Sequence, residues 1–350
     1  MAELKWDRNR KRAKSILQTI GYTPLVQLNR ITAEIQPEIL VKLEYFSPSG
    51  SLKDRIYLNM IEKAERRGDL KKGMTILECS TGNAGIACSF VAAVKGYSCI
   101  IVMPEGMSEE RKKMDAAYGT QMVYTPGGES DVDLALATLE AIRSKDPERY
   151  WVPSQFDNPD NIEAHYTTTG PEIWDQTKGR LDAYVGTQGT GGQLTGIGKF
   201  LRRQSKKIKL YAGEPAECPL LSRRVWGKHK IEGIGDGFVP RDLDLSLLNG
   251  IVTIGSDEAI EMARRLAREE GIFSGISSGA NVVAAMKVGR AHPEMKRIVT
   301  MICDSGQRYF STELCGSAKH VESPERDHPI DDYTRAQLDK YQSNWEIIDS

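Results

Sequence analysis

Residues 179–204 read GRLDAYVGTQGTGGQLTGIGKFLRRQ. The part up to Thr187 is typical of a β-strand, and apolar residues recur at helical spacing from residue 192 onward. The glycines between them allow a tight turn and a close approach of the backbone to a ligand. The N–H groups that begin a helix can then bind an anion such as phosphate. The segment therefore predicts a strand–turn–helix unit, whose turn either binds an anion or is only a turn.

The same alternation of strand and helix continues on both sides of this segment. Further strands are predicted at 38–45, 74–80, 98–104, 121–126, 208–215 and 297–303, and helices at 58–70, 85–96, 108–119, 131–144 and 257–271. Such alternation is typical of an α/β fold with parallel sheets that helices cover on both faces. In these sheets ligands bind at the carboxyl ends of the strands, beside helix N-termini.

Composition excludes several classes of function. With 350 residues the chain is long enough for about two domains, and its 47 basic and 48 acidic residues give a net charge of −1. We therefore expect no nucleic-acid or membrane partner, and the absence of an apolar signal or spanning segment predicts a cytoplasmic protein. The six cysteines form no CxxC pair, and the five histidines form no HExxH, so no metal site is expected. The glycine turn has neither the third glycine of a dinucleotide site nor the Lys-Ser/Thr of a P-loop.

A lysine lies in a small-residue loop just before a helix, in the segment PSGSLKDRI at 48–56. A lysine in a dry pocket can lose its proton and act as a nucleophile. The alternative for Lys53 is a surface lysine at a helix start.

Two more loops of small polar residues lead into helices. In ECSTGNAGIA, residues 78–87, the side chains of Ser80, Thr81 and Asn83 and the loop N–H groups can bind a carboxylate. The alternative is a helix start capped by Ser80 or Thr81. In FSGISSGANVV, residues 273–283, the corresponding alternative is N-capping by Ser277 or Ser278.

Taken together and in order, these segments resemble the cysteine synthase and cystathionine β-synthase family of fold-type II pyridoxal-phosphate enzymes, which have the fold of the tryptophan synthase β-subunit. The resemblance extends from about Thr19 to Thr312. It is carried by TIGYTPLVQL (19–28), PSGSLKDR (48–55), STGNAG (80–85), MPEGMSEERKKMDAAYG (103–119), QFDNPDNIEAHYTTTGPEIW (155–174), GTGGQLTG (189–196), EPAECPLLS (214–222), GIGDGF (233–238), GISSGA (275–280) and DSGQRYFST (304–312).

The resemblance implies a set of site residues around pyridoxal phosphate. Lys53 would be the Schiff-base lysine and the catalytic base, Asn83 would bond the 3′ oxygen, and Ser277 would meet the pyridine nitrogen. The phosphate would be bound by Gly189, Thr190, Gly191, Gly192 and Gln193. The substrate carboxylate would be bound by Ser80, Thr81, Gly82, Ala84 and Gln155.

The activity implied is β-replacement on an O-activated serine, most simply O-acetylserine, with sulfide, through an aminoacrylate, to give L-cysteine. One alternative is a lyase that consumes cysteine and releases sulfide, giving serine or cystathionine, with Asp236 in GIGDGF activating water or binding an amino group. Another is an O-phosphoserine sulfhydrylase that uses Arg223, Arg224, Lys228 and Lys230. A third is an idle scaffold that binds a partner's C-terminal peptide, which the intact Lys53 disfavours.

Four positions depart from the family pattern. Ser47 stands where Asn is usual, Ala84 and Gln193 each replace a Thr, and Gln307 stands where Glu is common. Loss of a hydrogen bond to a charged group is worth about 1.5–3 kcal/mol, so the Ala84 change is expected to affect substrate preference.

The resemblance also implies two domains and a partner. The smaller, mobile domain would span 48–157 and the larger one 13–47 plus 158–315, with 316–350 as a C-terminal extension. A homodimer is expected, and so is binding of the C-terminal tail of a serine acetyltransferase.

Overall fold

The computed structural model describes residues 12–127, 132–235 and 237–316, without the side chain of Asp133. The contacts group the chain up to Gly316 into one compact unit. The predicted extension at 316–350 lies, except for Gly316, outside the described residues. Within the described ranges, no helix is both long and apolar enough to cross a membrane. In the same ranges, no cluster of His, Cys, Asp and Glu could bind a metal ion.

Strands and helices alternate along most of the chain. The strands are β1 (Leu25–Gln27), β2 (Glu38–Leu43), β3 (Thr75–Cys79), β4 (Ser98–Pro104), β5 (Gln121–Thr125), β6 (Tyr150–Trp151), β7 (Ala183–Thr187), β8 (Lys209–Pro215), β9 (Gly250–Ile254) and β10 (Arg297–Ile302). The helices are α1 (Lys53–Arg67), α2 (Asn83–Lys95), α3 (Glu109–Ala117), α4 (Val132–Arg143), α5 (Pro159–Ala164), α6 (Gly170–Gln176), α7 (Gly192–Gln204), α8 (Leu220–Arg223), α9 (Ser256–Glu270) and α10 (Ile276–Ala291). A π-helical turn, His165–Thr169, joins α5 to α6.

The strands form two sheets. The larger has six strands in the order β1-β2-β10-β7-β8-β9, and the smaller has four in the order β5-β4-β3-β6. Every neighbouring pair is parallel except β1 with β2, where Val26 pairs antiparallel with Val41. The predicted α/β class is confirmed. β1 adds an antiparallel edge to the predicted parallel sheet, because the short link from β1 to β2 has no crossover helix.

Both sheets are covered by helices on their two faces. Along β3, Ile76 packs with α1 and α2, whereas the next residue, Leu77, packs with α4. In the larger sheet, β7 is buried along its whole length, between α10 on one face and α7 on the other. Almost every residue of α10 is buried, which explains why its sequence has no polar face.

Several element boundaries differ from the sequence prediction. Helix α1 begins at Lys53 rather than at 58, so the lysine lies on the first turn of the helix. The strand predicted at 179–187 begins only at Ala183. Strands β1, β6 and β9 and helices α5 and α6 were not predicted, because most are too short for a periodic signal.

One of the two predicted serine caps needs correction. Helix α10 is capped by Gly275, so Ser277 and Ser278 lie inside its first turn. Helix α2 begins after Gly82, and the Ser80 hydroxyl accepts from the N–H of Gly85 in its first turn, as the capping alternative predicted.

Candidate active site

One cleft collects most of the predicted site residues. It encloses about 970 Å³ of empty space, including open solvent at its mouth. It lies at the carboxyl ends of β3, β7 and β10 and beside the N-termini of α1, α2, α7 and α10. The predicted residues that line it are Lys53, Ser80, Thr81, Gly82, Asn83, Ala84, Gln155, Gly189, Thr190, Gly191, Gln193 and Ser277. Gly192 begins α7 without lining the cleft, and Asp236 lies outside the described residues.

Lys53 lies in this cleft and is half-buried. Its Nζ donates a hydrogen bond of 3.2 Å to Gln155 Oε1. The loop before it is fixed at two points: the Ser49 N–H donates to Asp54 Oδ2 at 2.8 Å, and the Leu52 N–H donates to Cys303 O at 2.9 Å. A lysine on the outer surface, the alternative considered above, is therefore wrong.

The loop between β3 and α2 is held by a serine hydroxyl. Ser80 Oγ accepts hydrogen bonds from the N–H groups of Gly82 at 3.0 Å and Gly85 at 2.7 Å. Ser80 therefore does satisfy N–H groups at the start of the helix, and it also lines the cleft. A Cβ on Gly82 would lie 2.7 Å from Nε of Arg111, so the loop has no room for a larger residue there.

The turn at 189–192 brings its backbone close to neighbouring segments. Gly191 has φ +84°, and a Cβ there would lie 2.6 Å from the backbone nitrogen of Leu243. Thr190 Oγ1 accepts from Asn161 Nδ2 at 3.0 Å. The Gln193 amide donates to the Tyr184 hydroxyl and to Met301 Sδ, so this side chain is engaged with the sheet rather than with the turn.

Replacing Gly191 with alanine is expected to weaken binding of the anion by about tenfold or more, because a left-handed alanine costs about 1–2 kcal/mol and its Cβ displaces Leu243. Gly68→Ala is the matched control: φ is +81°, and no atom lies within 4 Å of the added Cβ. Titration with phosphate, the anion expected at such a turn, measures the affinity of both variants. Equal effects of the two changes would contradict a role for the close approach.

The described residues that line the cleft carry positive but no negative charge. Lys53 and Arg111 are its cations, and no Asp or Glu lies among the lining residues in the described ranges. Two helix N-termini, those of α2 and α7, add partial positive charge. The cleft therefore fits a ligand with more than one anionic group.

Arg111, Asn161, Thr187 and Cys303 line the cleft but were not predicted as site residues. Arg111 is almost fully buried, donates to Thr81 O at 3.3 Å, and forms an ion pair with Glu232. Its partners come from distant segments, so nothing in the sequence of α3 marks it. Burial raises the pKa of the Cys303 thiol to about 12, so it stays protonated.

His165 also lines the cleft and is fully buried. Burial lowers its pKa to about 3, and the charges of Arg55 and Lys53 act in the same direction. Its Nδ1 lies 2.9 Å from Thr169 Oγ1. The imidazole is therefore neutral at any physiological pH and supports the structure.

This burial predicts an acid-dependent loss of stability. Folded His165 stays neutral down to about pH 3, whereas in the unfolded chain it takes up a proton below pH 6.5. The contribution is therefore fully present above pH 6.5 and is lost as the pH falls, by about 2 kcal/mol between pH 7 and pH 5. Urea unfolding of wild type and His165→Asn at both pH values tests this. Parallel losses in the two proteins would contradict it.

Comparison with known proteins identifies the family. The pattern of the family described as "Pyridoxal-phosphate dependent enzyme" matches residues 16–304. A cysteine synthase of Staphylococcus aureus (strain Mu50 / ATCC 700699) is 45% identical over 305 residues, which are 87% of this chain and 97% of the relative.

Solved structures agree with the family assignment. A hydrogen sulfide-producing enzyme from Fusobacterium nucleatum has a TM-score of 0.82 and 40% identity, covering 85% of this chain and 100% of that one. Cysteine synthase from Entamoeba histolytica has a TM-score of 0.84 and 38% identity, covering 89% and 94%. The resemblance drawn from the sequence is confirmed. The chain belongs to the pyridoxal-phosphate dependent enzymes, with the fold-type II architecture of the cysteine synthases and pyridoxal phosphate as its cofactor.

Proposed function

We propose that the enzyme replaces the acetate group of O-acetylserine with sulfide and so forms L-cysteine. The observation that carries this proposal is the cleft itself: Lys53 shares it with two anion-binding helix N-termini and with no described carboxylate. One N-terminus suits the cofactor phosphate and the other suits the substrate carboxylate. The cysteine synthase names of the relatives from Staphylococcus aureus and Entamoeba histolytica support the choice of reaction.

The residues of the cleft fit pyridoxal phosphate. The turn that precedes α7 offers backbone N–H groups. It also packs closely on its neighbours, since a Cβ at Gly189 would lie 2.8 Å from Gly233 O and one at Gly191 2.6 Å from Leu243 N. Lys53 would carry the cofactor on its Nζ, Asn83 would bond the 3′ oxygen, and Ser277 would face the pyridine nitrogen. Thr190, Gly192 and Gln193 would complete the phosphate site, Gln193 through its backbone. Bound there, the cofactor supplies an electron sink for the pair left at the substrate Cα.

Ser277 favours reactions at Cβ. It is buried at the N-terminus of α10 and lines the cleft beside Cys303. A hydroxyl opposite the pyridine nitrogen leaves that nitrogen neutral, whereas a carboxylate would keep it protonated. A neutral ring is a weaker electron sink, which suits elimination and replacement better than transamination.

The loop at 80–84 would bind the substrate carboxylate through Ser80, Thr81, Gly82 and Ala84, together with Gln155. The Gly82 N–H already donates to Ser80 Oγ, so Ser80 would offer its hydroxyl hydrogen and Ala84 its N–H. Ala84 has no hydroxyl, so this site has one donor fewer than the family pattern. The positive end of α2 adds attraction for the carboxylate.

Lys53 Nζ, a free amine once the substrate amino group has taken its place on the cofactor, would move the proton. Nζ takes the proton from Cα. The Cβ–O bond then breaks, and the electron pair of that bond leaves with acetate. Sulfide then forms the new bond to Cβ, and Nζ returns the proton to Cα. In the structure Nζ donates to Gln155, which would help to orient it.

A second candidate is release of sulfide from cysteine. The likeness to the hydrogen sulfide-producing enzyme of Fusobacterium nucleatum favours it. Asp236, to which the sequence analysis gave a role in this reaction, lies outside the described residues. Arg223, Arg224, Lys228 and Lys230 are exposed and do not line the described cleft, so nothing here favours a phosphoserine substrate.

The domain division, the assembly and the location are further proposals. We keep the division into a mobile part at 48–157 and a larger part at 13–47 plus 158–315, with closure on the substrate carboxylate. A homodimer, a cytoplasmic location and binding of a serine acetyltransferase tail also stay predictions. Exposed aromatic side chains, among them Tyr22 and Trp226, suit a protein contact.

The visible spectrum of the holoenzyme tests the reaction. O-acetylserine, O-phosphoserine and cysteine are added in turn, each followed by an assay of cysteine, serine and sulfide. A spectral change with O-acetylserine that sulfide reverses, with release of cysteine, is the expected result. A response to O-phosphoserine alone, or to cysteine alone with release of sulfide, would overturn the proposal in favour of the corresponding alternative.

A further inference from the structure

The Asn83 carboxamide is held at both of its polar atoms. Its Nδ2 donates a hydrogen bond of 2.7 Å to Asp304 Oδ2, and its Oδ1 accepts one from Arg308 Nη1. A carboxamide turned by 180° would set its N–H groups against the guanidinium and its oxygen against the carboxylate. Both contacts would then be repulsive, because Arg only donates and an ionised Asp only accepts. The pair therefore permits one orientation of the amide.

Asp304 and Arg308, the two partners of Asn83, are themselves held by further hydrogen bonds. Asp304 is fully buried, and its Oδ2 also accepts from the Tyr309 hydroxyl at 2.8 Å. Arg308 is 1% exposed, and its second nitrogen donates to the carbonyl of Ser49 in the loop before Lys53. The backbone of Asp304 forms a bridge with Ser51 of the same loop. The segment after β10 thus contacts both Asn83 and the loop that precedes Lys53.

One N–H of Asn83 is left for the cleft. The Nδ2 group has two hydrogens, and Asp304 takes one of them. We propose that Asp304 and Arg308 are positioning residues that make Asn83 present a donor, never an acceptor, to the 3′ oxygen of pyridoxal phosphate. This inference rests on the proposed function through the role given to Asn83. A donor at that place stabilises the oxygen as an anion.

The test uses the holoenzyme with Asp304→Ala, which removes the acceptor that orients Asn83. The dissociation constant of pyridoxal phosphate is expected to rise about tenfold, or about 1.4 kcal/mol. Part of the visible absorption is expected to move to the near ultraviolet, because the 3′ oxygen takes up a proton. An unchanged spectrum and affinity would overturn the proposal.

Tyr309→Phe is the matched control. It removes the other hydrogen bond to the same oxygen of Asp304, in an equally buried place, and leaves the contact with Asn83. We expect an unchanged spectrum. The same spectral change in Tyr309→Phe as in Asp304→Ala would mean that general disturbance of the segment, not the orientation of Asn83, is responsible, and would overturn the proposal.

A double-mutant cycle isolates the path through Asn83. In an Asn83→Ala background, Asp304→Ala is expected to change neither affinity nor spectrum further, and a full additional effect would overturn the proposal. If Asp304→Ala does not fold, Arg308→Lys replaces it, since one ammonium cannot reach both Asn83 and Ser49. Failure of the wild type to make cysteine would contradict the proposed function alone, because affinity and spectrum do not depend on the substrate.

Discussion

Replacement of Lys53 by alanine is expected to lower the rate of cysteine formation by at least ~10³-fold, since we propose that its Nζ, which lies in the cleft, takes up the proton from Cα. His165 is a poor substitute, because burial lowers the pKa of its imidazole to about 3 and so makes it a very weak base, and its Nδ1 is engaged with Thr169. The variant is also expected to lose the visible band of the bound cofactor. Steady-state assays and absorption spectra measure the two effects.

Lys63→Ala is the control for this prediction. Lys63 lies on the same helix, α1, but forms ion pairs with Asp160 and Glu163 and does not line the cleft. Its replacement is expected to leave rate and spectrum unchanged. A Lys53→Ala protein that keeps a tenth or more of the wild-type rate would contradict the role given to Lys53.

A buried group of charges lies behind the cleft, next to the helix that carries Lys53. Arg55 Nε pairs with Glu44 at 2.7 Å, and its Nη1 pairs with Glu172 at 2.6 Å. Lys42 pairs with Glu172 at 2.7 Å. Burial alone would raise the pKa of Glu172, but the hydrogen bonds and charge of Arg55 outweigh it and lower that pKa to about 2. The carboxylate thus stays ionised inside the protein.

Arg55→Ala is expected to lower the free energy of unfolding by about 3–5 kcal/mol, because it leaves two carboxylates buried beside a single lysine. Urea unfolding at pH 7 measures the loss. The control is Asp157→Asn, which breaks the pair with Arg241, where the two side chains are 55% and 78% exposed. That change is expected to cost less than about 1 kcal/mol. Equal losses in the two variants would contradict the prediction.

The sequence predicted correctly those elements that depend on residues close together in the chain. Strand β4 and helix α7 lie where they were predicted, because their apolar spacing is a local signal and a glycine, Gly96 or Gly191, lies shortly before each of them. The glycine turn could be predicted for the same reason: a left-handed glycine such as Gly191, followed by a helix, is a property of consecutive residues. Lys53 and Asn83 were found through motifs that are also continuous in the chain.

Other parts of the site could not be predicted because their partners are far apart in the chain. The bond from Asn83 to Asp304 joins positions 221 residues apart, and the pair of Arg111 with Glu232 spans 121. Sequence reasoning treated Arg111 as an ordinary residue on a helix, yet folding buries it beside Gly82. The antiparallel edge strand β1 was missed because three residues carry no periodic signal.

The sequence by itself determined the order of strand–helix units, the glycine turn and the lysine loop, since glycine conformations, helix starts and apolar periodicity depend on near neighbours. Only the tertiary structure decided which buried charges neutralise one another and which way the Asn83 amide faces. Those outcomes depend on the geometry that brings β10 and the loop after it against α1 and α2. Ion pairs and hydrogen bonds form between groups that are close in the folded protein. The number of residues between two groups along the chain does not determine that distance.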